Sequence, residues 1–232
     1  MAELVTGPDG AVVDGVLRLG ADGITVAGYE VTTTRTARGL RYDVLTPDGE
    51  QLSWTAPTSS QRTLILGGAR SGKSTEAERL LADNADTLYV ATGGDGSDDP
   101  EWASRIALHR ARRPAGWGLA ETIDLVPLLS SSGPPLLIDC LTLWLSRTMD
   151  AYEVWSDLTR AAEVEAQIAD LAAAWSSTSR TVVAVSNDIG AGVVPADPGT
   201  RLFRDLMGRL NTTIAHHSTT VLWTLAGRTI PL

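Results

Sequence analysis

Eight consecutive residues in the first third of the chain have the types and the spacing needed to hold a polyphosphate. They read GGARSGKS and fill every fixed position of the phosphate-binding pattern G-x-x-x-x-G-K-[ST]. Glycines let the backbone curl, so that successive N–H groups point at phosphate oxygens beside the positive N-terminus of a helix. We therefore predict a nucleotide-binding loop formed by Gly67, Gly68, Ala69, Arg70, Ser71, Gly72, Lys73 and Ser74.

Two residues of this loop and one distant carboxylate have more specific predicted roles. Lys73 supplies positive charge to the phosphates, and the hydroxyl of Ser74 is placed to bind Mg²⁺ between the β- and γ-phosphates. Asp139 ends an apolar run, and in P-loop proteins an acid at such a strand tip lies beside the phosphate loop and holds Mg²⁺. We predict Lys73 and Asp139 as catalytic residues, and Ser74 and Asp139 as metal ligands. An ordinary strand-ending cap is the alternative role for Asp139.

A basic segment downstream of the loop carries a second set of reactive side chains. Helical spacing places Arg105 and Arg112 on one stripe with His109, and Arg110 and Arg113 add two more guanidinium groups. Positive neighbours lower the pKa of an imidazole, and the neutral ring can attack phosphorus while the arginines stabilise the phosphoryl oxygens. A merely solvated histidine on a basic helix is the competing interpretation of this segment.

The elements that must position these side chains alternate between short apolar runs and helical patterns. Helices are predicted from Thr75 to Ala82, from Leu158 to Trp175 and from Arg201 to His216. The alternation predicts an α/β fold of the P-loop NTPase (RecA-like) type, a mostly parallel sheet with helices on both faces. The predicted strands are Thr63–Leu66, Thr87–Ala91, Leu136–Asp139, Thr181–Ser186 and Thr220–Ala226.

The first quarter of the chain differs from the rest in its composition and in its hydrophobic pattern. Glycine recurs every few residues, and turn signals such as Pro47-Asp48-Gly49 separate short alternating runs. We predict a small β-rich module of unknown role at residues 1–56, a polar linker at 57–61 and the P-loop domain at 62–232.

Composition restricts the partners and the compartment. With 28 acids against 19 bases the net charge is −9, which argues against general affinity for nucleic acid or for an anionic membrane. Cys140 is the single cysteine, so no internal disulfide can form, and a small buried thiol is the expected role. The N-terminus lacks a basic segment followed by an apolar one, and no run approaches about 18 apolar residues. We predict a cytoplasmic protein without membrane insertion.

Five separated segments resemble the bifunctional adenosylcobinamide kinase/adenosylcobinamide-phosphate guanylyltransferase family of cobalamin biosynthesis. The resemblance covers roughly residues 62 to 232. A P-loop alone would be weak evidence for one family, whereas five segments in order are specific. The segments are Leu66–Ser74 (LGGARSGKS), Tyr89–Thr92 (YVAT), Arg105–Pro114 (RIALHRARRP), Ser186–Pro195 (SNDIGAGVVP) and Phe203–Asn211 (FRDLMGRLN).

The resemblance implies two successive reactions. The enzyme would first phosphorylate the aminopropanol hydroxyl of adenosylcobinamide with ATP or GTP. His109 would then attack the α-phosphate of GTP, release pyrophosphate and carry GMP to adenosylcobinamide phosphate, giving adenosylcobinamide-GDP. Mg²⁺ is the implied cofactor, and the implied nucleotide-binding residues outside the loop are Arg105, Arg110, Arg113 and Glu121.

The resemblance also implies a homo-oligomer, a trimer, and one antiparallel strand in the sheet. The sequence departs from the family pattern at three positions. Asp139 and Asp188 stand where glutamate is common, and Leu108 stands where a second histidine often precedes the nucleophile.

Two other functions are compatible with the same residues. A small-molecule kinase with one activity would use the loop while His109 remains incidental. A nucleotide-dependent switch protein would use the loop without transferring a group to a small molecule. A covalent nucleotide on histidine is the feature that separates the bifunctional enzyme from both.

Overall fold

The computed structural model describes the chain except for residues 1–3, 8–9, 14–16, 21–22, 26–28, 37–38, 57–60 and 95–113. The chain divides into two compact units, Met1–Ser59 and Ser60–Leu232. Among the helices that the structure describes, none is long and apolar enough to cross a membrane.

The first unit consists of two antiparallel sheets, which confirms the predicted β-rich character of this region. The hairpin between the last two strands turns through Pro47-Asp48-Gly49, where Gly49 has a φ of +89°. The N–H of Gly49 donates to the carbonyl of Thr46 at 2.9 Å. The four-stranded sheet contains β1 (Leu4–Gly7), β2 (Gly10–Val13), β3 (Leu17–Gly20) and β4 (Gly23–Thr25), and the three-stranded sheet contains β5 (Glu30–Thr36), β6 (Gly39–Leu45) and β7 (Gln51–Ala56).

The second unit is built on a seven-stranded sheet, in which six strands are parallel and the last is antiparallel to its neighbour. The antiparallel strand implied by the resemblance is thereby confirmed. The strands are β8 (Arg62–Gly67), β9 (Leu88–Ala91), β10 (Gly118–Glu121), β11 (Leu136–Asp139), β12 (Val182–Asn187), β13 (Thr220–Leu225) and β14 (Arg228–Pro231). Their order across the sheet is β10-β9-β11-β12-β8-β13-β14.

The five predicted strands of this sheet are present, with ends that differ by no more than one residue. Strands β10 and β14 were not predicted. Each is only four residues long and lies at an edge of the sheet, so neither carries a buried apolar run. Pro231 ends β14, as an edge strand allows.

Helices lie on both faces of this sheet, which confirms the predicted α/β architecture. The three predicted helices are present, and the last begins three residues earlier than predicted, at Pro198. The helices are α1 (Lys73–Leu80), α2 (Leu125–Ser130), α3 (Leu141–Ala151), α4 (Ala161–Ser177, preceded by a 3₁₀ turn at Leu158–Arg160) and α5 (Pro198–His216).

Helices α2 and α3 were not predicted from the sequence. The first half of α3 reads LTLWL, an alternation that fits a strand as well as a helix, and most of α3 is buried. Its hydrophobic periodicity is therefore weak.

Side chains alternate between the two faces along each central strand. Leu64, Leu136 and Ile138 point into a core formed with α2 to α5. Ile65 and Leu137 point to the opposite face, where α1 packs through Ala77 and Leu81. Parallel strands bring all their carboxyl ends to one edge of the sheet, and we call this the carboxyl edge. The opposite edge, where the parallel strands begin, is the amino edge.

Candidate nucleotide-binding site

The predicted phosphate loop connects β8 to α1 at the carboxyl edge. At Gly67 a Cβ atom would lie 2.8 Å from the Ser71 hydroxyl and closer still to the Thr224 carbonyl oxygen, so only glycine fits. Gly72 has a φ of +103° and is the N-cap of α1, and no side chain caps this helix. The N–H groups of the first helical turn have no acceptor within the helix. The N-terminus of α1 is therefore open to an anion.

Lys73 is the buried cation of this loop. Its ammonium group donates to the carbonyl oxygen of Gly68 at 2.8 Å, and the residue is only 8% exposed. Desolvation lowers the pKa of Lys73 below its ordinary value, while the charge of Asp139 favours the ammonium form. A desolvated cation interacts with phosphate more strongly than one in bulk water.

Ser71 is held by its backbone but not by its side chain. Its N–H donates to the carbonyl of Gly68 at 3.3 Å, and its own carbonyl accepts from Gly227 at 2.9 Å. The hydroxyl is buried and has no hydrogen-bond partner within the described part of the chain. Gly68, Ala69 and Arg70 are exposed at the rim of the loop. The structure thus brings all eight predicted loop residues together in one cradle.

Asp139 lies at the same edge, two strands from the loop. The hydroxyl of Tyr89 donates to its Oδ2 atom at 2.6 Å and orients the carboxylate. Asp139 is close enough to Lys73 for its charge to favour the ammonium form. The backbone of the next residue, Cys140, is fixed by Thr92, whose hydroxyl donates to the carbonyl of Cys140 at 2.7 Å and accepts from its N–H at 2.9 Å.

Cys140 is a buried thiol, as predicted. It is 8% exposed, and burial raises its pKa to about 11, followed in importance by the charge of Asp139. The group is therefore a protonated, weakly nucleophilic thiol at neutral pH.

A hydrogen-bond network organises the loop that follows β12. The side-chain amide of Asn211 on α5 donates to the Asn187 carbonyl at 3.0 Å and its oxygen accepts from Ser186 at 2.6 Å. The N–H of Asn187 donates to the Thr142 hydroxyl at 2.8 Å. Three elements, β12, α3 and α5, therefore fix the start of this loop. At its tip, the residue Val193 is 95% exposed.

Two arginines of α5 have the surface contacts expected of helix-surface residues. Arg209 forms an ion pair with Glu165 of α4. Arg204 donates to the carbonyl of Gly190, across the loop that follows β12.

The structure describes one further predicted site residue, Glu121, and it is not part of this cradle. Glu121 is exposed at the end of the edge strand β10, and its strand lies four positions from β8, about 19 Å at ~4.8 Å per strand. Its nucleotide contact stays a prediction. His109, Arg105, Arg110 and Arg113 lie outside the described residues.

Several functional contacts were missed by sequence reasoning. Tyr89 and Thr92 belong to a recognised segment, but nothing in the sequence indicated that Tyr89 would bind the Asp139 carboxylate or that Thr92 would bind the backbone of Cys140. These partners lie about 50 residues apart along the chain. The contact of Gly227 with Ser71 likewise joins distant segments.

The sheet, its helices and the glycine loop define an α/β P-loop nucleotide-binding protein. The sequence model of the family described as cobinamide kinase / cobinamide phosphate guanyltransferase (CobU) matches residues 63–232, and the chain belongs to this family. The match confirms the family that the five sequence segments resemble.

Curated relatives support the same assignment. The chain is 41% identical over 176 residues to the bifunctional adenosylcobalamin biosynthesis protein CobP of Pseudomonas aeruginosa, covering 74% of this chain and 96% of that protein. It is 35% identical over 167 residues to the bifunctional protein CobU of Salmonella typhimurium, covering 66% and 88%. It is 33% identical over 174 residues to CobU of Escherichia coli, covering 71% and 95%.

Proposed function

We propose that this protein phosphorylates adenosylcobinamide with ATP or GTP and then transfers GMP from GTP to the product, forming adenosylcobinamide-GDP and pyrophosphate. One observation carries the proposal. This chain belongs to the family and has a complete phosphate loop, whose lysine is desolvated and lies near Asp139. The names of its relatives, bifunctional adenosylcobalamin biosynthesis proteins, agree with both reactions.

In the kinase reaction, the loop N–H groups and Lys73 would bind the triphosphate and stabilise the charge on the transferred phosphoryl group. The substrate hydroxyl attacks the γ-phosphorus, its proton is lost to solvent, and the bond to the β-phosphate oxygen breaks to release the nucleoside diphosphate. The open N-terminus of α1 stabilises the anionic phosphates during this transfer.

The donor set at the carboxyl edge fits Mg²⁺. Within the part of the chain that the structure describes, no three His, Cys, Asp or Glu side chains cluster as they would around a tightly coordinated metal. Mg²⁺ usually takes one or two protein oxygens, with waters and phosphates as its other ligands. Ser74 and Asp139 would hold the ion through such oxygens. When bound, Mg²⁺ supplies positive charge to the phosphate oxygens.

In the guanylyl transfer, the imidazole of His109 would act as the nucleophile. A neutral ring nitrogen attacks the α-phosphorus of GTP, a P–N bond forms, and the bond to the pyrophosphate oxygen breaks. A phosphate oxygen of adenosylcobinamide phosphate then displaces the histidine nitrogen and restores the free ring. Arg105, Arg110, Arg113 and Glu121 would bind the nucleotide during these steps.

The proposal extends to domain organisation, location and assembly. Residues 1–56 would form a module of unknown role joined through a linker at 57–61 to the catalytic domain at 62–232. A cytoplasmic location agrees with the single free thiol of Cys140. A homo-oligomer, specifically a trimer, follows from the resemblance.

The decisive experiment incubates the full chain with GTP labelled at the α-phosphate and Mg²⁺, then denatures it. We expect a label that is acid-labile and alkali-stable, as a phosphoramidate is, and that is absent from His109→Ala. His216→Ala is the matched control, because His216 ends α5 beside the amino edge, and it should retain the label.

Two results would overturn parts of the proposal. Label that persists in His109→Ala would remove this histidine from the mechanism. A wild-type chain that phosphorylates adenosylcobinamide but takes up no label would be the single-activity kinase.

A further inference from the structure

The C-terminal hairpin places a tight turn beside the phosphate loop. Strand β13 runs parallel to β8, with Trp223 opposite Leu66, so it ends at the carboxyl edge. The chain then turns through Ala226 and Gly227, with φ of +51° and +76°, before β14 runs back. Two successive positive φ values are typical of the type I′ turn that joins two-residue hairpins.

This turn contacts the loop at several points. The N–H of Gly227 donates to the Ser71 carbonyl at 2.9 Å. A Cβ atom on Gly72 would lie 3.4 Å from the Cα of Gly227 and 3.6 Å from the Cγ2 of Thr224. At Gly67 the Thr224 carbonyl leaves no room for a side chain. The hairpin therefore packs along the loop from its first glycine to the start of α1.

The Gly227 hydrogen bond fixes the orientation of one loop peptide. A trans peptide group is planar, and its C=O and N–H point in opposite directions. Because the Ser71 carbonyl points to the hairpin, the N–H of Gly72 in the same peptide group points away from it. A donor held in this way loses no conformational freedom when an anion binds.

We propose that the Ala226–Gly227 turn is a positioning element of the nucleotide site, which acts through the Ser71 carbonyl to hold the loop in its anion-binding conformation. The proposal rests on the proposed function, since it requires that the loop bind a nucleotide. It assigns Gly227 as a positioning residue for the triphosphate, without contact to the reacting atoms.

The test uses the backbone conformation of Gly227 and not the size of its side chain. A Cβ atom at Gly227 would meet no atom within 4 Å, so a Cβ itself causes no clash there. Valine strongly disfavours positive φ, whereas asparagine tolerates it. Gly227→Val should therefore distort the turn, and Gly227→Asn should preserve it. Gly49 also has positive φ and open space around it, so Gly49→Val is a matched control in another hairpin turn.

The measurement is the Kd of the full chain for a fluorescent GTP analogue with Mg²⁺, together with the steady-state KM for GTP and the Tm without nucleotide. We expect Gly227→Val to weaken binding about tenfold and to raise KM with a smaller change in kcat. Gly227→Asn and Gly49→Val should remain within about twofold of the wild type.

A second variant covers the case in which Gly227→Val does not fold. One glycine inserted after Ala226 displaces the Gly227 N–H without adding a strained residue, and it should weaken binding to a similar extent. A folded Gly227→Val protein with wild-type Kd would overturn the positioning role. Equal weakening by Gly49→Val would also overturn it, because the effect would then reflect general stability.

The two proposals fail in different ways. A wild-type chain that binds neither GTP nor ATP removes the proposed function and the positioning role together. If the wild type binds the nucleotide and the turn variants bind it with the same Kd, only the positioning role is removed.

Discussion

A cation is buried at each of the two edges of the seven-stranded sheet, but the two cations have different hydrogen-bond acceptors. At the amino edge Arg180 is 5% exposed, and its guanidinium donates to the carbonyl oxygens of Pro134 at 2.8 Å and Leu128 at 2.9 Å. At the carboxyl edge the ammonium of Lys73 donates to the carbonyl oxygen of Gly68, and the nearby Ser71 hydroxyl lacks a partner in the described residues.

The difference shows how one fold separates stability from function. Desolvation lowers the pKa of both cations. Arg180 is compensated by fixed backbone carbonyls from two segments, so it joins the loop before β11 to the start of β12. Lys73 donates to a carbonyl oxygen of the phosphate loop, and a phosphate oxygen can replace this acceptor. A polar group left incompletely satisfied costs stability and is typical of a binding site.

Lys73→Met should give the largest functional effect. The substitution removes a preorganised positive charge that would lie beside the phosphates. It is expected to lower kcat/KM for GTP on the order of 10²- to 10³-fold. The Tm should stay unchanged or rise, because the variant no longer buries a charge. Thermal unfolding and steady-state kinetics of the same preparation check both expectations.

The pH dependence of stability gives an independent check on Lys73. Its pKa is lowered in the folded state, so near pH 10 the unfolded chain binds more protons than the folded one. The contribution of Lys73 to stability therefore increases with pH, from its lowered pKa up to about 10.5, the ordinary value. The unfolding free energy of Lys73→Met minus that of the wild type should therefore decrease over this window, and an increase would contradict the assignment.

Arg180→Met should show the opposite pattern. The substitution leaves the partly buried carbonyls of Pro134 and Leu128 without their donor and should lower the unfolding free energy by about 2 to 3 kcal/mol. The Kd for GTP should not change at a temperature where the variant is folded. Arg180→Lys keeps the charge but loses the fork of donors, so urea unfolding should place it between the wild type and Arg180→Met. A weakened Kd in either variant would mean that the two edges are coupled.

A smaller effect is expected from α5, another helix that begins at the carboxyl edge. Unlike α1, helix α5 is capped, because Asp197 accepts from the Thr200 N–H at 2.7 Å and its hydroxyl at 2.9 Å. Asp197→Ala should lower the Tm slightly and leave the Kd for GTP unchanged, and Asp197→Asn should keep most of the cap.

The Asp197 cap should also depend on pH in a defined direction. The hydrogen bonds to Thr200 lower the pKa of the Asp197 carboxyl. Its contribution is therefore complete above its ordinary value of 3.8 and is lost as the pH falls through the lowered value. A Tm difference between wild type and Asp197→Ala that grows in acid would rule out this cap.

Local sequence signals predicted the loop and the central strands. The motif at Gly67–Ser74 combines a strand, glycines and a helix start within a few residues, and β11 and β12 are short, continuous apolar runs. Other features depend on contacts between distant segments. Tyr89 meets Asp139, and Gly227 meets Ser71, only after the sheet has formed.

The position of Glu121 in the sheet also depends on a contact between distant segments. The resemblance suggested its role, but β10 has only four residues and no buried core side chain, so its place at the sheet edge is set by pairing with β9. The alternating start of α3, LTLWL, fits a strand or a helix, and its conformation depends on packing in the core of the domain.

Amide hydrogen exchange of the full chain with and without Mg²⁺ and GTP tests most directly whether the carboxyl edge is the nucleotide site. We expect exchange to slow at residues 67–75, where the N–H groups at the start of α1 have no acceptor within the helix. Residues 178–182 at the amino edge should exchange at the same rate in both states. Protection at the amino edge, or none at residues 67–75 under saturating nucleotide, would contradict this assignment.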